Sequence, residues 1–196
     1  MARQPRILPP GCVVHVVNRG NERRRLFERP AEYDDFLCLI ERTAARRPIK
    51  LLAYALMPNH WHLILWPDLS SDLSKFLHLL TTGHAARFRH LTATAGLGHV
   101  YQGRYYSSVV KDDAEYVSTL RYVEANPVRA KLVRRAEQWP WTSLVERLDV
   151  PRLIVDGPLA LPPGPEWMAL VNESSQSTQV EADRNDGNSG SGLNGV

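Results

Sequence analysis

The chain opens with short β-branched runs and then changes to a helical period. Cys12-Val-Val-His-Val-Val17 reads as a first strand closed by the turn Asn18-Arg-Gly20. Pro30 stands at a first helical position, and Tyr33, Phe36, Leu37, Ile40 and Ala44 recur at helical spacing until Arg46-Arg47-Pro48 ends the segment. Lys50 to Met57 and His60 to Trp66 are apolar runs joined by Pro58-Asn59, the pattern of a β-hairpin. A second helix is expected from Ser71 to Leu91, with Leu73, Phe76, Leu77, Leu80 and His84 on one stripe. Tyr105 to Val110 reads as a fourth strand. Asp112-Asp113 then cap a third helix expected to continue to Asn126, before Pro127.

The order β-α-β-β-α-β predicts an α+β fold: a ferredoxin-like antiparallel sheet with two helices on one face and an added C-terminal helix carrying Tyr122. That extra helix is the candidate to cross the open face. The length suits one domain over residues 1–150, followed by a Pro-rich irregular extension over 151–171. Residues 172–196, rich in Ser, Gly, Asn and Asp without aromatics, are expected to be a disordered tail. Trp139-Pro-Trp141 is expected to seal an edge of the core.

Charge sharpens the picture. The formal net charge is +3, but the last 25 residues carry −3 and the preceding 171 carry 23 basic against 17 acidic side chains. A basic body fits a polyanionic partner. Cys12 and Cys38 lack the spacing of a zinc knuckle or disulfide framework and read as small buried hydrophobes in a reducing compartment. The N-terminus is basic without an apolar core segment, and no run is long enough to span a bilayer, so a cytoplasmic protein, nucleoid-associated when bound to DNA, is expected.

His60-Trp61-His62 carries the first candidate chemistry. Alternation along a strand puts His60 and His62 on one face, about 7 Å apart, with Trp61, Leu63 and Leu65 on the other. Such a pair can be satisfied by local hydrogen bonds, or can converge on a divalent cation if an opposing element supplies a further ligand. Tyr122 and Asn126 are four residues apart and about 40° apart around a helix, while Val117, Leu120 and Val123 form a separate docking stripe. Taken alone, Tyr122 reads as a rim tyrosine and Asn126 as a helix end. Taken with the histidines, the set suits nucleotidyl transfer: a cation neutralises phosphate charge, and a phenol forms an ester that preserves the bond energy for rejoining.

Around these residues lies a candidate nucleic-acid footprint: Arg87, Arg89, Gln102, Arg104, Tyr105, Arg121 and Arg129. Arginines clamp phosphates and tyrosines stack exposed bases, although any one of these cations is equally accounted for by a solvated face.

Met57-Pro-Asn-His-Trp-His-Leu-Ile-Leu65, Tyr101-Gln-Gly-Arg-Tyr105 and Arg121-Tyr-Val-Glu-Ala-Asn-Pro-Val-Arg-Ala130 together resemble the signature blocks of the HUH single-tyrosine transposases, and within them the REP-associated tyrosine transposases. The likeness runs from about Val14 to Ser143, so residues 1–150 would form the single-tyrosine HUH domain. It implies His60 and His62 as metal ligands completed by Asn126, Tyr122 as the nucleophile, and Mg2+ or Mn2+ as the cation. It also implies cleavage of single-stranded or hairpin DNA through a 5′-phosphotyrosine, without ATP, by a monomer or a homodimer. The stretch 88–98 departs from the more basic loop common in that group. Two other classes are weighed against this: a non-cleaving DNA-binding protein derived from a transposase, and a relaxase or replication initiator, which the small size disfavours.

Overall fold

The computed structural model describes residues 9, 11–93 and 98–173. Strands β1 (Val14–Arg19), β2 (Lys50–Met57), β3 (His60–Trp66) and β4 (Tyr106–Val109) form one sheet in the order β2-β3-β1-β4. Every neighbouring pair is antiparallel. Helices α1 (Pro30–Arg46) and α2 (Ser70–Thr92) complete the β-α-β-β-α-β order, so the ferredoxin-like α+β fold expected from the pattern is the fold observed. β1 lies two residues later than its apolar run suggests. The ladder to β3 carries the polar residues Asn18 and Arg19 opposite Trp61 and His60, and pairing overrides their weak strand preference.

One face of the sheet presents Val14, Val16, Tyr54, Leu56, Trp61, Leu63 and Leu65 to α1 and α2, in a core completed by Phe27, Phe36, Phe76 and Leu80. Within it runs a buried polar chain: Trp61 Nε1 donates to Tyr101 Oη (3.1 Å), which lies 2.6 Å from His84 Nδ1. The β2 edge is covered, not left open. Leu56 N donates to the Trp141 carbonyl and Trp139 Nε1 to the Leu56 carbonyl, while Trp141 stacks on Tyr33 with ring centroids 4.1 Å apart. The Trp-Pro-Trp segment thus seals the edge as expected.

The other face is crossed by α3 (Asp113–Glu124). Asp112 caps it by accepting from the Glu115 amide at 2.8 Å. Leu120 and Val123 bury against Leu52, Ala53, Ala55 and Ile64 of the sheet. The bulge between Leu51 and Ala53 turns both Leu52 and Ala53 to this side. Contrary to the single helix expected through Asn126, α3 stops at Glu124, and one further turn, α4 (Asn126–Arg129), follows Ala125. The cause is Pro127, which has no N–H to offer the Val123 carbonyl.

The largest departure lies beyond α5 (Ser143–Leu148). In place of irregular chain, residues 164–173 are helical (α6), with Trp167 and Val171 at 1% and 0% exposure in the second core. Scattered Pro and Gly mask this helix in the sequence, because only docking against α3 and the sheet gives its apolar side a partner. Of the expected tail, residues 174–196 lie outside the described residues, as do residues 94–97 of the divergent loop. Cys12 and Cys38 are half-buried free thiols. Among the described residues, no helix is long and apolar enough to cross a membrane.

Burial, with Arg87 nearby, lowers the pKa of His84 to about 4. The unfolded chain protonates this group near pH 6.5, so between pH 6.5 and 4 the unfolded state binds more protons and stability falls as pH falls. Burial lowers His15, His60 and His62 as well, and their contributions have the same sign. For His84 alone the full loss is about 3 kcal/mol. Urea unfolding at neutral pH and at about pH 4.5 should show a clear drop in midpoint, smaller in a His84→Gln protein. An equal drop in the two proteins would contradict the assignment to His84.

Candidate active site over the open sheet face

The site grows from the alternation of β3. Trp61, Leu63 and Leu65 enter the first core, which forces His60 and His62 to the opposite face. The turn ahead of them is held from outside: Gly20 N donates to the Asn59 carbonyl, and Leu26 N and Phe27 N both donate to the Pro58 carbonyl. Gly20 is required there, because a Cβ would stand 2.3 Å from the Arg24 carbonyl oxygen. Asn59 in turn orients His60, its Oδ1 lying 2.7 Å from His60 Nδ1. If Nδ1 donates to that oxygen, Nε2 is left as the acceptor.

Above this face, α3 presents Tyr122, 39% exposed, with its ring centroid 5.8 Å from that of His62. The Arg129 guanidinium lies over the Tyr122 ring at 4.9 Å, a cation–π contact that restrains the phenol. Asn126 is buried, and its side chain interacts with His60. The four residues singled out by sequence, His60, His62, Tyr122 and Asn126, therefore meet within one chain, although the helix carrying Tyr122 ends before Asn126.

Among the cleft residues that were not anticipated, two with ionisable side chains lie on β1. Arg19, exposed on β1, stands directly opposite His60 in the ladder, and His15 lies on the same face with Nε2 2.9 Å from His62 Nδ1. The signal was available: period-2 alternation puts His15 and Arg19 on one side of β1, and a ferredoxin-like order makes β1 the neighbour of β3.

Burial keeps these imidazoles neutral. It lowers the pKa of His15 to about 4 and that of His60 to about 4, in the latter aided by Arg19 and opposed by Asn126. His62 is pushed well below the usual histidine range by burial first, then by His60, His15 and Arg19. Among the described residues, His62 Nε2 is the buried side-chain nitrogen or oxygen with no hydrogen-bond partner. Leaving such an atom unmatched costs about 1–3 kcal/mol, which makes it a candidate point of contact for a ligand.

A divalent cation fits that position. Among the described residues no three His, Cys, Asp or Glu side chains are grouped to hold a metal, and His15 is already engaged through Nε2. The candidate donors are His62 Nε2, the His60 imidazole and the Asn126 carboxamide, the last two already in contact with each other. This is a sparse set that would leave coordination positions to phosphate and water oxygens.

The expected DNA-contacting residues divide. Arg89, Gln102, Arg104 and Tyr105 line one groove between α2 and the segment leading into β4, with His78 and His99. Arg87 does not join them: it pairs with Asp35 across the outer α1–α2 surface. Arg121 is also placed differently, because its Nε and an Nη donate to the Leu170 carbonyl at 3.0 and 2.7 Å and tie α3 to α6. Helix periodicity explains why: Arg121 lies about 100° around α3 from Tyr122, on the side where α6 docks.

Residues 10–126 match the family model "Transposase IS200 like". A REP-associated tyrosine transposase of Escherichia coli (strain K12) is 25% identical over 139 residues, covering 68% of this chain and 76% of that protein. A solved REP-associated tyrosine transposase bound to a REP hairpin superimposes with a TM-score of 0.58 at 19% identity, covering 84% of this chain and 96% of the other. The matched segment holds all four strands, both histidines, Tyr122 and Asn126, and the chain belongs to the IS200-like transposase family.

Proposed function

We propose that the protein is a metal-dependent single-strand DNA transesterase that cuts and rejoins DNA through a 5′-phosphotyrosine on Tyr122. The observation that carries this reading is the edge-to-face approach of an accessible phenol to His62, whose buried Nε2 lacks a partner. The Tyr122 hydroxyl attacks a backbone phosphorus; the phosphorus–O3′ bond breaks, the departing oxygen gains a proton, and the phenolic proton is lost to solvent. The strand is left as a phosphotyrosine ester and a free 3′-hydroxyl. Attack by a 3′-hydroxyl of another strand reverses these steps, so phosphodiester energy is conserved and no ATP is needed. A divalent cation held by His60, His62 and Asn126 would neutralise charge on the phosphate oxygens.

The chain's own groups account for the rest. Arg129 restrains the Tyr122 ring, and Arg19, exposed beside His60, offers a charged donor to a neighbouring phosphate. The groove of Arg89, Gln102, Arg104 and Tyr105 combines cations with a ring on which an unpaired base can stack. The relative solved with a REP hairpin makes a short palindromic hairpin the first substrate to try. Because Tyr122 reaches histidines of its own chain, a monomer is competent.

The test is denaturing electrophoresis of labelled single-stranded hairpins, taken from the flanks of the gene, after incubation with protein and manganese. A band shifted by the mass of the protein and resistant to denaturant is expected. Hairpin binding without any such band would favour a non-cleaving DNA-binding protein.

A further inference from the structure

Sheet register places a third imidazole beneath the reactive pair. His15 lies edge to edge and nearly coplanar with His62, the centroids 5.2 Å apart, the planes 14° from parallel and Nε2 facing Nδ1 at 2.9 Å, and its ring also meets that of Tyr122 at 6.2 Å in a T-shaped contact. The hydrogen bond between the two histidines can run either way. Were His15 the donor, His62 would carry its own proton on Nε2, an N–H buried without an acceptor. With His62 Nδ1 as donor, Nε2 instead holds a lone pair aimed at the cleft. That is the form in which a histidine takes a cation, its other ring nitrogen tied to a fixed acceptor.

We propose that His15 is a positioning residue which, by accepting the Nδ1 proton of His62, fixes the tautomer and orientation that present the His62 Nε2 lone pair beneath Tyr122. The assignment rests on the phosphotyrosine reading above, but it concerns a separate atom and can be read separately. His15 has no spare capacity to act as a ligand through Nε2. Its second contact, with the Tyr122 ring, lets one side chain support both halves of the site.

The first measurement needs no variant. Long-range 1H–15N spectra of the metal-free full chain at neutral pH should show His62 protonated on Nδ1 and bare on Nε2; the reverse pattern overturns the proposal whether or not the protein cuts DNA. Manganese titrations supply the second. His15→Phe keeps a ring but removes the acceptor, and is expected to weaken manganese binding roughly 10–100-fold and leave His62 with mixed tautomers. His15→Gln, whose carbonyl oxygen can accept the same proton, should recover most of the affinity. Unchanged manganese affinity and an unchanged His62 tautomer in either a folded His15→Phe or a folded His15→Ala protein would refute the role. Should the wild type bind no manganese and form no adduct, the proposed function fails, and the wild-type tautomer still decides the role of His15.

Discussion

Replacing Tyr122 by phenylalanine is expected to abolish the covalent protein–DNA band, a loss on the order of 10³-fold or more, while hairpin binding changes little. The ring of Tyr122 is partly exposed and packs beside His15 and His62 under Arg129. Phenylalanine preserves those ring contacts and removes only the hydroxyl proposed as the nucleophile. The fold should therefore keep its melting temperature, and a gel-shift assay should return nearly the wild-type affinity. Adduct formation persisting in Tyr122→Phe would move the nucleophile elsewhere; the exposed Tyr106, which lines the same cleft, would be the next candidate.

The second large effect is on stability. Glu124 has no solvent exposure, and its carboxylate accepts from Ser143 Oγ at 2.5 Å, Trp167 Nε1 at 2.6 Å and Arg147 Nε at 2.8 Å. Arg147 also donates to the Leu52 carbonyl. One carboxylate thus joins the tyrosine helix to α5, α6 and, through Arg147, to β2. Glu124→Ala strands a mostly buried guanidinium and an indole N–H at once, and breaking one partner of such a pair costs about 3–5 kcal/mol. That is a large share of the 5–15 kcal/mol typical of a whole domain. Chemical denaturation should show this loss directly. A change below about 1 kcal/mol would show that the network is not what holds α3 down.

The consequence reaches the chemistry, because α3 has no strand of its own to fix its height above the sheet. It is held by Leu120 and Val123 below, by Glu124 on one side and by the Arg121–Leu170 bonds on another. A site in which Tyr122 must stand over His62 needs that position kept within a fraction of an ångström. The extension that looked irregular in the sequence therefore serves the site through Trp167 and Leu170, although it contributes no residue to the cleft.

Much was legible before any coordinates. The hairpin bounds were, because uninterrupted apolar runs on both sides of Pro58-Asn59 leave little freedom of register. So was the sharing of a face by His60 and His62, since a period of two is a property of any strand. The ends of α1 and α2 followed from their apolar stripes to within a residue or two. Three ordered motifs sufficed to recognise the family to which the chain belongs.

Other features depend on which elements come to lie against each other, which local pattern does not encode. Helical spacing said that Tyr122 and Asn126 face alike, but only the packing of α3 across β2 and β3 puts His62 beneath the phenol. Arg87, Arg121 and Arg129 look alike in sequence. Asp35 on α1, the Leu170 carbonyl on α6 and the Tyr122 ring give them three different duties. His15 was in plain view as one residue of a β-branched strand, and its meaning arose from the ladder that sets β1 beside β3. Periodicity determined the elements, their faces and the residue types able to handle a phosphodiester. Long-range contacts decided which of those residues meet, because a side chain's chemical role is set by its neighbours in space.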